Sequence, residues 1–270
     1  MIQWQEREWI ETNLIEASHE VVTGQGVFET VLVSEQVPQF LDLHLKRLNN
    51  SCQMLGLGVP GPPVIRAGIE QLLAGHHTNR GRLRITLFGG VPESLLMMSL
   101  VDVDPWPGSA SVIISPWTRN ENSAITGVKS VSYAENALAL KWAKDLEYSE
   151  TLLFNGAGHV AEAATSNVLV VVDGEVITPP LHSGCLPGIT RGVILELGVR
   201  EANIDASRLD RVTAAALLSS TRGVQPIHAI GERKLEVLDA RLQQLIDSYR
   251  VRAEQDKKNW ARPPKESRPV

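Results

Sequence analysis

Two dipeptides limit the folds open to this chain more tightly than its composition does. Asn155-Gly156 and Asp173-Gly174 each stand between short apolar runs, residues 151–154 and 159–162 around the first, residues 167–172 and 175–178 around the second. Asn, Asp and Gly tolerate the positive φ that two-residue hairpin turns require, so the spacing predicts two antiparallel hairpins. The most apolar stretch, residues 168–172, is of strand length and ends at Asp173, well short of the ~20 apolar residues of a membrane helix.

The first hundred residues alternate strand and helix signals. Residues 26–33 read as extended. Leu41, Leu45, Leu48, Cys52 and Leu55 then recur at spacings of three and four, predicting a helix that Gly56 and Gly58 stop; His44 and Arg47 lie three apart on it. A second helix is predicted over 64–74, and residues 82–88 alternate polar and apolar as a strand does. Residues 115–127 carry no stable periodicity and read as a linker, which places a domain boundary there. Beyond it the pattern predicts a helix over 134–146, with Ala139, Trp142, Ala143 and Leu146 on one face. A helix near Thr190, a strand over 214–219 and a final helix from about Leu235 follow. The reading is an α/β (α+β) chain: a small N-terminal α/β domain over 1–120, a larger domain over 121–250 and a basic tail over 251–270.

Composition narrows the function classes. With 43% hydrophobic and 21% charged residues over 270 positions, the chain suits one large or two average domains rather than a disordered segment. Two cysteines, Cys52 and Cys185, are too few for a disulfide framework or a zinc site. The net charge of -5 gives no general attraction to nucleic acid or anionic lipid. Only residues 250–270 are basic, with seven Lys or Arg against three acids, and they read as the solvated end of the last helix. The N-terminus shows no basic n-region or apolar h-region, so a cytoplasmic location is the expectation.

No Walker loop, HExxH, GxSxG or complete GxGxxG is present; Gly24-Gln-Gly26 is a turn fragment, and His76-His77 lack metal-ligand spacing. Lys129 and Tyr133 are four apart, so their side chains face the same way on a helix or a strand. An amine beside a phenol at a domain junction suits a nucleophile of lowered pKa, although a lysine taken alone reads as a surface residue. Leu186-Pro-Gly-Ile-Thr-Arg191 leads into a helix whose first N–H groups form a natural anion seat, with Thr190 as the predicted N-cap. Ser219-Ser220-Thr221 ends a strand with three hydroxyls. Glu162, at the end of another, needs a cationic or proton-donating partner if it is buried.

In this order and spacing the residues resemble the fold-type IV pyridoxal-phosphate enzymes, also called class IV aminotransferases. The motifs that carry the resemblance are Gly24-Gln-Gly-Val-Phe-Glu-Thr30, Leu43-His-Leu-Lys-Arg-Leu48, Lys129-Ser-Val-Ser-Tyr133, Glu162-Ala-Ala-Thr-Ser-Asn167, Leu186-Pro-Gly-Ile-Thr-Arg191 and Ser219-Ser-Thr-Arg-Gly-Val-Gln-Pro226. The resemblance implies pyridoxal 5'-phosphate in a cleft between the small domain and a larger barrel-like one, in a homodimer; charge and hydropathy lead us to expect no nucleic-acid or membrane partner. Lys129 looks like the lysine that bonds to the cofactor and later moves protons on the substrate. Tyr133 resembles the tyrosine near the cofactor's phenolic oxygen, and Glu162 the carboxylate that keeps the pyridine nitrogen protonated, its ionised form favoured by that cation. Arg47 resembles the phosphate-binding arginine; the amides of Ile189 and Thr190, with Ser219, Ser220 and Thr221, complete the phosphate cup. Thr23, Gln25 and residues 13–19 depart from the family pattern, which bears on the substrate pocket.

Within the family the same proton removal ends either in a keto acid, in transaminases, or in loss of pyruvate to leave 4-aminobenzoate, in aminodeoxychorismate lyases. Residues 219–226 look more like the loop of lyase-like members than the Gly-Thr-Ala loop of branched-chain enzymes. Residues 82–90 lack the Tyr-x-Arg-Pro pattern of the latter. The expectation is a 4-amino-4-deoxychorismate lyase acting on a small amine, with a transaminase of branched-chain or D-amino acids as the alternative.

Overall fold

A computed structural model describes residues 1–5, 8–12, 18–89 and 94–260. The first unit comprises β1 (Ile2–Gln5), β2 (Glu8–Glu11), α1 (His19–Val22), β3 (Gly26–Ser34), β4 (Val37–Pro38), α2 (Leu41–Met54), α3 (Pro62–Gly75), β5 (Arg80–Phe88) and β6 (Leu95–Asp102). Its six strands form one antiparallel sheet in the order β2-β1-β6-β5-β3-β4. The predicted face of α2 is the one buried: Leu41, Leu45, Leu48 and Cys52 pack with Val31 and Val33 of β3 and Leu83 and Ile85 of β5. On β5, alternation sends those apolar residues inward and Arg80, Arg82 and Arg84 to the opposite face.

The second unit contains β7 (Ala110–Arg119), α4 (Ala134–Asp145), β8 (Glu150–Asn155), β9 (Val160–Ala163), β10 (Asn167–Val172), β11 (Glu175–Thr178), α5 (Ile189–Glu196), β12 (Arg200–Glu201), β13 (Val212–Ser219), β14 (Gly223–Ile230), β15 (Arg233–Lys234) and α6 (Ala240–Trp260). The sheet order is β12-β11-β10-β13-β14-β7-β8-β9, with β15 on β14. Strands β9 and β10 stand five places apart in that order yet are joined by residues 164–166 alone. The sheet must therefore curl toward a barrel, and its apolar lining, including Val168, Val170, Leu217 and Ile227, fills the interior.

Three expectations change. Residues 115–119 are the second half of β7 rather than linker; the strand's pairing with β8 shifts register between Ile114 and Thr118, across Pro116. Pro cannot donate to a ladder and is carried at such bulges, so the run lacks strand periodicity while remaining strand. The last helix starts at Ala240, where the Asp239 carboxylate accepts the N–H groups of Arg241 and Leu242. Leu146 is the exposed C-cap of α4, so only Ala139 and Ala143 of the four predicted face residues are buried there.

Both hairpins form, by different turns. Asp173 and Gly174 take φ of 54° and 83° between Val172 and Glu175, the tight turn predicted. At the other, the Asn155 side chain accepts the N–H groups of Ala157 and His159, so the loop is longer and the positive φ falls on Gly158.

Helix α6 ties the two units together. Leu242, Ile246, Tyr249 and Ala253 pack on the second sheet. Farther along, Asp256 accepts the N–H of Phe40 at 2.5 Å, Lys257 pairs with Glu35, and Arg66 stacks on Trp260. Residues 251–260, within the stretch read as basic tail, are thus packed helix; residues 261–270 lie outside the described residues. Among the described residues no helix is long and apolar enough to cross a membrane.

Candidate active site

A cavity of about 780 Å³ opens between the two sheets, and most of the residues singled out above line it: Arg47, Lys129, Tyr133, Glu162, Ile189, Ser219, Ser220 and Thr221. Lys129 and Tyr133 precede α4, Glu162 lies on β9, and Ser219 ends β13 with Ser220 and Thr221 just beyond it, so chain ends of several strands converge on one space.

The Lys129 amine has no hydrogen-bond acceptor and no carboxylate within ion-pair distance among the described residues. Its Nζ sits 4.4 Å from the Phe28 ring centroid and 5.6 Å from that of Tyr133. Burial, then repulsion from Arg47 and Arg84, outweighs Glu29 and Glu162 and brings its pKa down to about 8. Tyr133 packs edge-on against Phe28 and donates to the Ala164 carbonyl at 3.2 Å. Burial and the nearby acids raise the phenol above its usual value, so it stays protonated.

Glu162 is buried and has found the partners that burial demands. Oε2 accepts from Leu186 N–H at 2.9 Å and Asn167 Nδ2 at 3.3 Å, and Oε1 lies 3.2 Å from Arg119 Nη2. Burial dominates and raises the Glu162 pKa, although Arg119 opposes it. Residues 115–127 lack periodicity and read as linker, so no sequence signal marks Arg119 as the partner of Glu162. The Arg119 Nε has no partner, and Nη2 meets Glu162 within ion-pair distance but without hydrogen-bond geometry.

At the opposite wall, α5 starts with Gly188 as N-cap, not Thr190, and no side chain caps it. The first N–H groups of the helix, those of Ile189 and Thr190, have no carbonyl one turn back to receive them. The Thr190 side chain turns away from the cavity to meet Tyr249 Oη at 3.4 Å, leaving only its backbone for the seat. Arg47 Nε and Nη2 donate to the two oxygens of buried Glu29 at 2.8 and 2.6 Å, and Nη1 donates to Pro187 O at 3.1 Å. Glu29 and His44 stand in quoted motifs, but only the fold shows that they back this seat.

Three further arginines line the cavity. Arg84 stacks on Phe28 with its Cζ 3.6 Å from the ring centroid and donates to Thr30. Arg222 stacks on Trp106 at 3.6 Å, with Glu150 3.7 Å away. Neither Arg82 nor Arg84 has a carboxylate partner among the described residues, and burial and their mutual repulsion lower Arg84 below its ordinary value. That part of the wall suits an anionic ligand.

Comparison with known proteins places the architecture. The family model described as amino-transferase class IV matches residues 26–230. An Aquifex aeolicus protein described as a probable branched-chain-amino-acid aminotransferase is 31% identical over 131 residues, 45% of this chain and 42% of that protein. The chain thus matches under half the length of that relative. A bifunctional aminodeoxychorismate lyase / D-amino acid transaminase of Mycobacterium tuberculosis is 26% identical over 206 residues, 65% of this chain and 69% of that protein. In fold, the branched-chain aminotransferase of Thermoproteus uzoniensis, solved with norvaline, superposes with a TM-score of 0.85 at 21% identity, covering 96% of this chain and 97% of that one. The two curled sheets and the cavity between them are thus the fold of solved branched-chain aminotransferases. The chain belongs to the class IV amino-transferase family.

Proposed function

We propose that the cavity binds pyridoxal 5'-phosphate and that the protein is a 4-amino-4-deoxychorismate lyase, releasing pyruvate and 4-aminobenzoate. The observation that carries the reading is Lys129, an amine of pKa about 8 without an acid partner, set in the same cavity as a buried carboxylate and an anion seat. The residues suit this cofactor: an unsatisfied amine for an aldehyde, unpaired helix N–H groups for a phosphate, and a buried carboxyl for a ring N–H.

When bound, pyridoxal phosphate supplies an aldehyde that joins amines and a ring that draws electron density from the amine-bearing carbon. Lys129 would hold that aldehyde carbon and, once displaced by the substrate amine, move the proton at the amine-bearing carbon. Glu162 would accept the ring N–H, Tyr133 would donate to the phenolic oxygen, and Arg47, Ile189, Thr190, Ser219, Ser220 and Thr221 would hold the phosphate. Arg82, Arg84 and Arg222 would take substrate carboxylates.

Arg222 supports the lyase reading, because it belongs to the lyase-like loop and reaches the cavity over Trp106. The aminotransferase alternative, on branched-chain or D-amino acids, is supported by the activity named for the Aquifex relative, while the Mycobacterium relative is named for both activities. On the family resemblance the working form is a cytoplasmic homodimer whose partner closes part of the cavity, which light scattering after size exclusion checks. Supplying aminodeoxychorismate and assaying 4-aminobenzoate and pyruvate tests the reaction, with leucine and D-alanine against 2-oxoglutarate in parallel. Formation of 4-aminobenzoate is the expected result; keto acids without it would overturn the choice.

A further inference from the structure

Three side chains behind the anion seat allow its protons to be counted. Glu29 and His44 are fully buried; His44 Nδ1 lies 2.7 Å from Glu29 Oε2, and His44 Nε2 lies 3.1 Å from Ser220 Oγ, which faces the cavity. Burial pushes the Glu29 carboxyl up, yet Arg47 and His44 together hold it down at about 2, so it is ionised and can only accept. His44 Nδ1 must therefore carry a hydrogen. Burial, aided by repulsion from Arg47 and Lys129, keeps the imidazole below its usual range despite Glu29, so the ring is neutral and Nε2 is bare. The Ser220 hydroxyl hydrogen then points at His44, and the cavity sees an oxygen lone pair.

A phosphate dianion brings acceptors only, and lone pair would face lone pair at Ser220. Nor does Arg47 leave its full charge for the ligand. Glu29 already neutralises it, and three of its five N–H groups are engaged by Glu29 and the Pro187 carbonyl.

We propose that His44 takes up one proton when a phosphate dianion enters the seat. A proton from solvent binds Nε2, Nε2–H donates to Ser220 Oγ, and Ser220 turns its own hydrogen to the phosphate; no covalent bond to the ligand forms or breaks. The charged groups that act on His44 are Glu29 from β3, Arg47 on its own helix, Lys129 from the segment before α4 and Asp256 from α6. Glu29 and Asp256 favour the imidazolium, Arg47 and Lys129 oppose it, and two added negative charges beyond Ser220 tip the balance. Glu29 and His44 touch no ligand in this scheme and are positioning residues. The inference rests on the proposed phosphate-bearing cofactor.

Pyridoxine 5'-phosphate tests it, because this probe has the phosphate but no aldehyde to join Lys129. Calorimetric titration of the full chain in buffers of different ionisation enthalpy, near pH 7 where Lys129 is already mostly protonated, should show uptake of about one proton per ligand. Pyridoxine, lacking the phosphate, should show none. His44→Gln, or Ser220→Ala if the former fails to fold, should reduce the uptake toward zero, while the phosphorus resonance of the bound ligand remains that of a dianion. Binding without uptake, uptake undiminished in the variant that folds, or a monoanionic phosphorus resonance would each overturn the proposal and leave the cofactor reading standing. Absence of any binding to the unaltered protein would remove both.

Discussion

Replacing Lys129 by methionine should make the cofactor-free protein more stable while abolishing its chemistry. At neutral pH the lysine is protonated in the folded and unfolded chain alike, but the folded site lowers its pKa from 10.5 to about 8, chiefly through burial and then through Arg47. At about 1.36 kcal/mol per pKa unit, holding the ammonium there costs folding at most about 3 kcal/mol. Lys129 is half-buried, and water at the cavity wall trims that to about 1–3 kcal/mol. Methionine keeps a long, flexible side chain against Phe28 and Tyr133 and carries no charge. The pH dependence fixes the sign. Between pH 8 and 10.5 the unfolded chain retains a proton that the folded chain has lost, so the parent gains stability as pH rises through this window and the variant does not. The variant's advantage is therefore full below about pH 8 and fades toward pH 10.5. Urea titrations followed by tryptophan fluorescence at several pH values from neutral to about 10 measure it. A variant less stable than the parent at neutral pH, or an advantage that does not shrink on going alkaline, would refute the reasoning.

Other predictions follow the same logic. Glu29→Gln leaves Arg47 buried without its counter-charge and should cost about 3–5 kcal/mol at neutral pH. Because the Glu29 carboxyl sits at about 2 against an ordinary 4.5, the parent loses this contribution as pH falls through that window, and the variant's acid unfolding profile should be flatter there. Glu162→Ala removes the carboxyl that accepts from Leu186 N–H and Asn167 and should weaken pyridoxal phosphate binding, read by absorbance titration. Gly188→Ala places a Cβ against Asn167 Oδ1, displacing the side chain that donates to Glu162 and to Leu186 O. Calorimetry should show a loss of about 1–3 kcal/mol.

Much of this site was legible before the fold was known, because its parts are local. Turn chemistry at Asp173-Gly174, the spacing of Leu41, Leu45 and Leu48, and the run into α5 each depend on neighbouring residues only; the structure places the turn and the α2 face as read, and it starts α5 where expected but with Gly188 rather than Thr190 as its cap. Glu162 carried its own prediction, since a buried carboxylate demands a partner. What sequence could not show was which distant group answers. Arg119 on β7 meets Glu162 on β9 across the intervening β8, and Glu29, His44 and Ser220 come from three separate elements. Periodicity also failed where a proline bulge broke it, as at Pro116 in β7, and where an Asn side chain took over backbone N–H groups, as at Asn155. Strand β14 was not foreseen; Pro226 within it pairs with Ala216 through a ladder that needs no N–H from that residue's ring nitrogen.

The measurement that tests the central claim most directly is chemical trapping of the cofactor. Purified protein is mixed with pyridoxal phosphate, reduced with borohydride, digested and mapped by mass spectrometry. The account predicts one label per chain, on Lys129, together with an absorbance band near the visible edge that is absent from Lys129→Ala. A label spread over surface lysines, or the same band in Lys129→Ala, would contradict it.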